Sequence, residues 1–432
     1  MDRIPVSDQQ PTAPVPSPPQ STTMRESLAT PWAPLQFATY RSFWIAGLVS
    51  NLGTWMHETG AQWLMTSLDG SPQMVAAVRT VMTIPVFVLA LPAGVWADRI
   101  DRRRWLLGTQ TILTITAVGM TVLAATELMT PTVLLLLTAA MGIGMVLNQP
   151  AWQSMTPELV PPALIPAAVS IGSFSFNLAR TVGPALAGFL IAQFDVWVAF
   201  ALNACSFLAV IAVLYRWQPS PHRASVPGTS FASELQQGLA TAMAVVEVRH
   251  TLIRLFCFSL PASVLWSLLA LVATEKLEFA ERGFGLSLAL VGSGAVAGAW
   301  VITYLRARFS SEQILLTVQC VYGTLCVMVG VSDSRFLLLP VLILIGCCWM
   351  SVMTTLNATA QVFLPRHIRA RGMAAYLMAF ALGTAVGSVV WGWVARWTSL
   401  DGAYLLAGFS MLLVAALSRQ LPLGDLRRPR EQ

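Results

Sequence analysis

Apolar runs long enough to cross a bilayer recur along almost the whole chain. Two of them, "VMTIPVFVLALPAGVWA" from Val81 and "WLLGTQTILTITAVGMTVLAA" from Trp105, flank one short charged stretch. A hydrocarbon core of about 30 Å needs about 20 apolar residues at the helical rise. Hydrophobic residues make up 56% of the 432, more than a soluble interior could hide. In hydrocarbon the backbone must satisfy its own hydrogen bonds, which leaves helices and closed barrels. Barrel strands alternate over about 10 residues; these runs neither alternate nor stop so soon. The fold class expected is therefore an all-α polytopic membrane protein.

Twelve spans are expected, near 42–67, 73–97, 105–126, 131–153, 166–193, 196–216, 251–274, 284–305, 313–331, 336–361, 372–396 and 401–418. The longest gap, after residue 216, divides them six and six. Residues 1–37, with "PTAPVPSPPQSTT", read as a disordered tail. They hold no apolar core with a cleavage site, so the first span is expected to act as the insertion signal. A six-helix bundle follows over 38–217, then a linker over 218–250, a second bundle over 251–420 and a basic tail over 421–432. In the linker, Phe231, Leu235, Leu239, Met243 and Val246 share one helical face, which predicts an amphipathic helix on the inner leaflet or under the bundle. A plain connector is the alternative.

Charge sets the orientation. With the N-terminus inside, only Lys276, Arg282, Arg335 and Arg396 of the 26 Lys and Arg fall outside, while Arg79 and Arg180 lie within spans. The positive-inside rule then places both termini in the cytoplasm. The net charge of +6 reflects this topology and gives no case for nucleic acid. The six cysteines sit inside apolar runs as small filler, without metal-ligand spacing to histidine. No P-loop or other cofactor motif is present, and no cofactor or metal is expected.

The halves echo each other. "GVWADRIDRRR" from Gly94 aligns with "GAWVITYLRAR" from Gly298, matching Arg102 with Arg306 and Arg104 with Arg308, although Asp98 becomes Ile302. "QSMTP" from Gln153 pairs with "QVFLP" from Gln361, and glycine-spaced helices follow, "GPALAG" and "GSVVWG". The offsets, 204 to 208, are nearly equal. Repeated six-helix halves are a transporter architecture, with the site between them near the midplane.

The pattern G-x-x-x-D-R-x-x-R-R at Gly94, Asp98, Arg99, Arg102 and Arg103 resembles that of the major facilitator superfamily. "NLARTVGPALAG" (Asn177–Gly188), "TPELVPPALIPAA" (Thr156–Ala168) and "ELQQGLATAMAV" are similar to its enterobactin-exporter-like group of transmembrane secretion effectors. The resemblance covers about residues 35–420. It implies two pseudo-repeat bundles rocking about a central site in a bacterial inner membrane, a monomer, and spans 1, 4, 7 and 10 around the cavity. Gly183-Pro184 resembles a motif of drug antiporters and points to export, although Ala179 and Ala187 stand where glycine is typical.

Six of the seven residues from Asp98 to Arg104 are charged. The Asp98 carboxylate is expected to meet a partner helix N-terminus. Arg102 and Arg103 are expected to pair with it, with neighbouring acids or with helix-end carbonyls. Together they would latch the cytoplasmic sides of the two halves. A purely topological role for the arginines is the competing reading, but it needs neither Gly94 nor Asp98.

Intramembrane charges are functional candidates by default. Glu58, Arg79 and Arg180 are the clear ones, and His57 adjoins Glu58. At the helical rise, Glu58 and Arg79 lie about 13 Å and 9 Å from the outer ends of spans 1 and 2. They are within pairing reach, and Arg180 could meet a substrate anion or Glu58. Glu58 is either a proton carrier or half of a static ion pair. Asn148, Gln149, Gln153, Asn177, Asn357 and Gln361 are the polar cavity candidates. Trp55, Trp63, Trp152, Trp266 and Trp349 are candidate aromatic walls for a mostly apolar ligand.

The leading reading is a secondary active, proton-coupled exporter of a small, mostly apolar molecule, siderophore-like or a drug. Its partners are then a small-molecule substrate, protons and membrane lipid. Uptake, lipid flipping and a transport-silent sensor use the same fold. An enzyme is disfavoured, because only His57 of the four histidines lies in a span and no nucleophile–base pair is visible.

Overall fold

The computed structural model describes residues 32–217, 243–277, 281–364 and 369–423. They contain twelve helices of 18 residues or more and no strand. The helices of the first half are α1 (Ala38–Leu68), α2 (Pro72–Arg99), α3 (Arg102–Ala125), α4 (Pro131–Gln153), α5 (Ile165–Phe194) and α6 (Trp197–Arg216). Those of the second are α7 (Val246–Leu271), α8 (Glu281–Arg308), α9 (Ser311–Val331), α10 (Arg335–Phe363), α11 (Arg369–Trp397) and α12 (Leu400–Leu417). Eleven are long and apolar enough to cross a membrane, α1 being the exception. Its middle carries Asn51, His57, Glu58 and Gln62, and His57 and Gln62 are buried inside the protein.

The chain reverses tightly because polar side chains cap the helix starts. Asp101 accepts from the Arg104 amide at 2.9 Å to begin α3, and Ser399 accepts from Gly402 at 3.0 Å to begin α12. Ser310 and Gln313 form a reciprocal capping box at the start of α9. The helix α7 starts about five residues before the expected span, at Val246. Most of the amphipathic segment expected from Phe231, like both tails, lies outside the described residues.

Helix pairing repeats between the halves. In the first, α1 packs on α5 and α6, α2 on α4, and α3 on α4 and α6. In the second, α7 packs on α11 and α12, α8 on α10, and α9 on α10 and α12. Glycines set the tightest of these contacts. A Cβ on Gly142 of α4 would lie 2.8 Å from the Met82 carbonyl oxygen of α2. Its counterpart at the repeat offset of 204, Gly346 of α10, packs against the Val291 backbone of α8, and Gly294 of α8 against the Ile343 backbone of α10.

The most extensive contacts between the halves are α2 with α11 and α5 with α8. A Cβ on Gly392 of α11 would lie 3.0 Å from the Gln73 Cα of α2, and one on Gly285 of α8 would lie 2.6 Å from the Gly188 Cα of α5. Both approaches occur at the end of the bundle where α2 and α8 begin. Lys276 stands at this end. It donates to the Val329 and Ser332 carbonyls at 2.7 and 3.2 Å and pairs with Asp401 at 2.6 Å and Asp333 at 3.4 Å, tying α7 to α9 and α12.

At the opposite end Arg254 of α7 is 1% exposed. It donates to both Glu312 carboxylate oxygens at 2.7 and 2.8 Å and to the Leu421 carbonyl at 3.2 Å. A buried guanidinium left without its acid is costly, but Glu312 is 36% exposed and solvent screens part of the loss. Glu312→Ala is expected to destabilise the protein by about 1–3 kcal/mol, read as a lowered thermal midpoint in detergent. Glu312→Asp is expected to retain most of the stability.

Candidate functional site

A pocket lies between the halves. The first half supplies its charges. Glu58 and Gln62 stand one turn apart on α1, Arg79 faces them from α2, and Arg180 comes from α5. The second half supplies apolar and aromatic surface, from Leu288, Val291 and Ala295 of α8, Trp266 of α7 and Trp349 of α10. Trp55 of α1, beneath Gly183 of α5, completes the wall.

The Arg79 guanidinium meets the Glu58 carboxylate at 3.0 Å, with 18% and 20% of the two side chains exposed. This is the contact that the depth arithmetic allowed. Arg79 also lies 5.8 Å from the Trp266 ring, close enough for a cation–π attraction. The rings of Trp266 and Trp349 meet edge to face at 5.4 Å. Gln62 donates to the Trp266 carbonyl at 3.1 Å, a hydrogen bond across the two halves. Arg180 reaches α10, where its guanidinium lies 4.0 Å from the Met350 sulfur, and it makes no ion pair among the described residues.

His57 points away from this pocket. It is 1% exposed, packs on Phe200 with ring centres 4.8 Å apart, and lines a smaller cleft with Glu58, Arg79 and Thr138.

Of the expected cavity residues, Trp55, Trp266 and Trp349 line the pocket, and the polar residues of α4 and α10 do not. Asn148 is turned toward α3, accepting from Thr109 at 3.1 Å and Gln110 at 3.2 Å. Gln149 is exposed on α4, and so is Gln153 at that helix's end. Gln361 bonds to Asn357 one turn back on α10, at 2.5 Å. Trp152 packs beneath Gly47 and beside Phe43, inside the first half. The wall contributed by α8, and Gln62 among the polar groups, were not anticipated. Gln62 had a signal, since it lies four residues after Glu58 and so on the same helical face.

The charged knot is also placed differently in part. Gly94, Asp98, Arg99 and Asn177 lie outside the residues described at side-chain level. Arg102 bonds to the Glu158 carboxylate and to the Ser154 carbonyl at 3.2 Å, and Arg103 to the Leu214 and Tyr215 carbonyls at 2.9 and 2.6 Å. All these partners belong to the first half. The bonds gather the ends of α3, α4 and α6, where exposed helix-end carbonyls attract cations, and none reaches the second half.

The fold agrees with known membrane transporters. A crystal structure of the nucleoside transporter NupG superposes with a TM-score of 0.69 at 15% identity, over 89% of this chain and 99% of the other. The fold, with the family and relatives that follow, is that of a membrane transporter of the major facilitator type. A profile of the transmembrane secretion effector family matches residues 29–429, so the chain belongs to that family. The MFS-type transporter YfiS of Bacillus subtilis is 25% identical over 397 residues, 86% of this chain and 90% of its own. The multidrug efflux pump Tap of Mycolicibacterium fortuitum is 23% identical over 391 residues, 87% and 94% of the two chains. The protein is a transporter of small molecules and not an enzyme.

Proposed function

We propose that the protein is a proton-coupled exporter of a small, mostly apolar molecule, working by alternating access as a monomer in a bacterial inner membrane. Both termini lie in the cytoplasm in this reading, so the end bearing Lys276 faces outward. The observation that carries it is a charged, tryptophan-walled pocket between two repeated halves whose glycine contacts close one end. With that end outward, the pocket belongs to a state that loads from the cytoplasm. Glu58, between the halves and paired to Arg79, is the group assigned to carry the proton. The likeness of the chain to a multidrug efflux pump over most of its length supports the outward direction.

The test has two readouts. Untargeted mass spectrometry of medium and cell extract, in a deletion strain and its complemented parent, is expected to find a compound that leaves the medium and accumulates inside on deletion. That compound, added to acid-loaded everted vesicles, is expected to release protons. A compound that instead builds up in the medium on deletion indicates uptake. Export without proton release rejects the coupling.

A further inference from the structure

Three ionisable groups line the pocket, and their pairing is unequal. Glu58 is the sole acid among the described wall residues, and Arg79 holds it at 3.0 Å. Arg180 has no such partner among the described residues. Its guanidinium crosses from α5 to α10 and stops 4.0 Å from a thioether sulfur, a weak acceptor, beside Trp349. Each buried wall atom left without a hydrogen-bond partner is also an N–H donor, Trp266 Nε1 and Arg79 Nε. The pocket thus offers one positive charge uncompensated among the described residues and spare donors, with its one carboxylate already paired to Arg79.

An unpaired cation within a membrane protein is expensive and is retained where a ligand supplies the counter-charge. A neutral ligand would leave Arg180 uncompensated, and a cationic one would add a like charge to it in a site of low dielectric. Deepening the exporter reading, on which it rests, we propose that the transported substrate is an organic anion. Its carboxylate or equivalent acidic group docks on Arg180 while its flat apolar body lies against Trp266 and Trp349. Planar bidentate recognition of a carboxylate is what a guanidinium does best. The edge-to-face tryptophan pair supplies apolar surface beside it.

The test is binding, which does not depend on direction or coupling. The full-length protein, in nanodiscs of phosphatidylcholine alone so that no anionic headgroup competes, is titrated with 1-naphthoate, 1-naphthalenemethanol and 1-naphthylmethylammonium while tryptophan fluorescence is followed. The anion is expected to bind at least about tenfold more tightly than the neutral probe, and the cation most weakly. Arg180→Gln is expected to erase the preference by weakening naphthoate alone, and Arg180→Lys to keep part of it. Unchanged binding of the neutral probe shows that each variant remains folded. A wild-type protein that ignores naphthoate, or an anion preference that survives Arg180→Gln, overturns the assignment. Loss of the preference in Arg180→Gln alongside vesicles that do not release protons would uphold the anion site and reject the coupled exporter. Proton-coupled export by a protein without the preference would do the reverse.

Discussion

Valine at Gly294 is expected to remove most folded protein from the membrane, while alanine at Gly108 leaves the yield unchanged. The two positions differ in what a side chain meets. A Cβ on Gly108 finds open space, whereas one on Gly294 enters the van der Waals envelope of the Ile343 carbonyl. Nearby, Gly346 meets the Val291 backbone in the same way, and a Cβ on Gly298 would lie 2.5 Å from the Cys347 carbonyl oxygen. Backbone obstacles cannot rotate aside, so α8 and α10 must separate along their contact. Overpacking alone costs about 1–3 kcal/mol, and rigid obstacles bring the upper end or more. Separation would also forfeit the neighbouring glycine contacts, on which membrane helices depend because lipid is as apolar as their side chains. Val291 and Ala295 of α8 line the pocket, so any folded remnant is expected to bind ligand poorly. Fluorescence-detected size exclusion of tagged Gly294→Val and Gly108→Ala proteins reads the effect. A monodisperse Gly294→Val peak at normal yield would show that the two helices tolerate a wider spacing.

What the sequence discloses about such a chain follows from what hydrocarbon penalises. Apolar runs must be helices there, so the number, order and approximate ends of the spans are readable. So is the Glu58–Arg79 contact, because two charges at similar depth on antiparallel neighbours have few other partners. Facing is much harder to read. On a soluble helix polarity marks the outer side, but here lipid and protein interior are equally apolar. Asn148 therefore looks like a cavity residue when it in fact holds α3. Arg254 is a sharper case: as a basic residue near a span's end it resembles any topology-setting arginine. Its burial depends on Glu312, 58 positions away, which no local pattern reveals. The knot was read for its residue types, and the bonds of Arg102 and Arg103 do go to an acid and to helix-end carbonyls. Their confinement to the first half depends on where α4 and α6 end in space. Likewise, the apolar wall from α8 carries no chemical signal at all.

Glu58→Gln is expected to reduce proton-driven transport by at least about tenfold, about 1.4 kcal/mol or more of coupling. The single variant, however, does two things at once. It removes a titratable group, and it leaves the Arg79 guanidinium without its partner in a site only about a fifth exposed. Breaking a buried pair on one side destabilises by about 3–5 kcal/mol, less here because solvent reaches both side chains. A static brace and a proton carrier would both suffer. The double variant Glu58→Gln/Arg79→Gln separates them, because removing both charges relieves the unpaired arginine and is expected to return thermal stability close to that of the parent. A brace has then been replaced by a neutral contact, and transport should return with stability. A carrier has been lost for good. The double variant should then still exchange substrate across the membrane down its own gradient, since Arg180 and the tryptophan wall are unchanged, yet fail to respond to an imposed pH gradient. The position of the pair favours the second outcome. A brace suits a contact confined to one half, as that of Arg102 with Glu158 is at the bundle end, whereas Glu58 and Arg79 line the space between the halves. Recovery of proton-driven transport in the double variant would assign the pair to holding α1 on α2 and would move the search for the proton carrier to another residue.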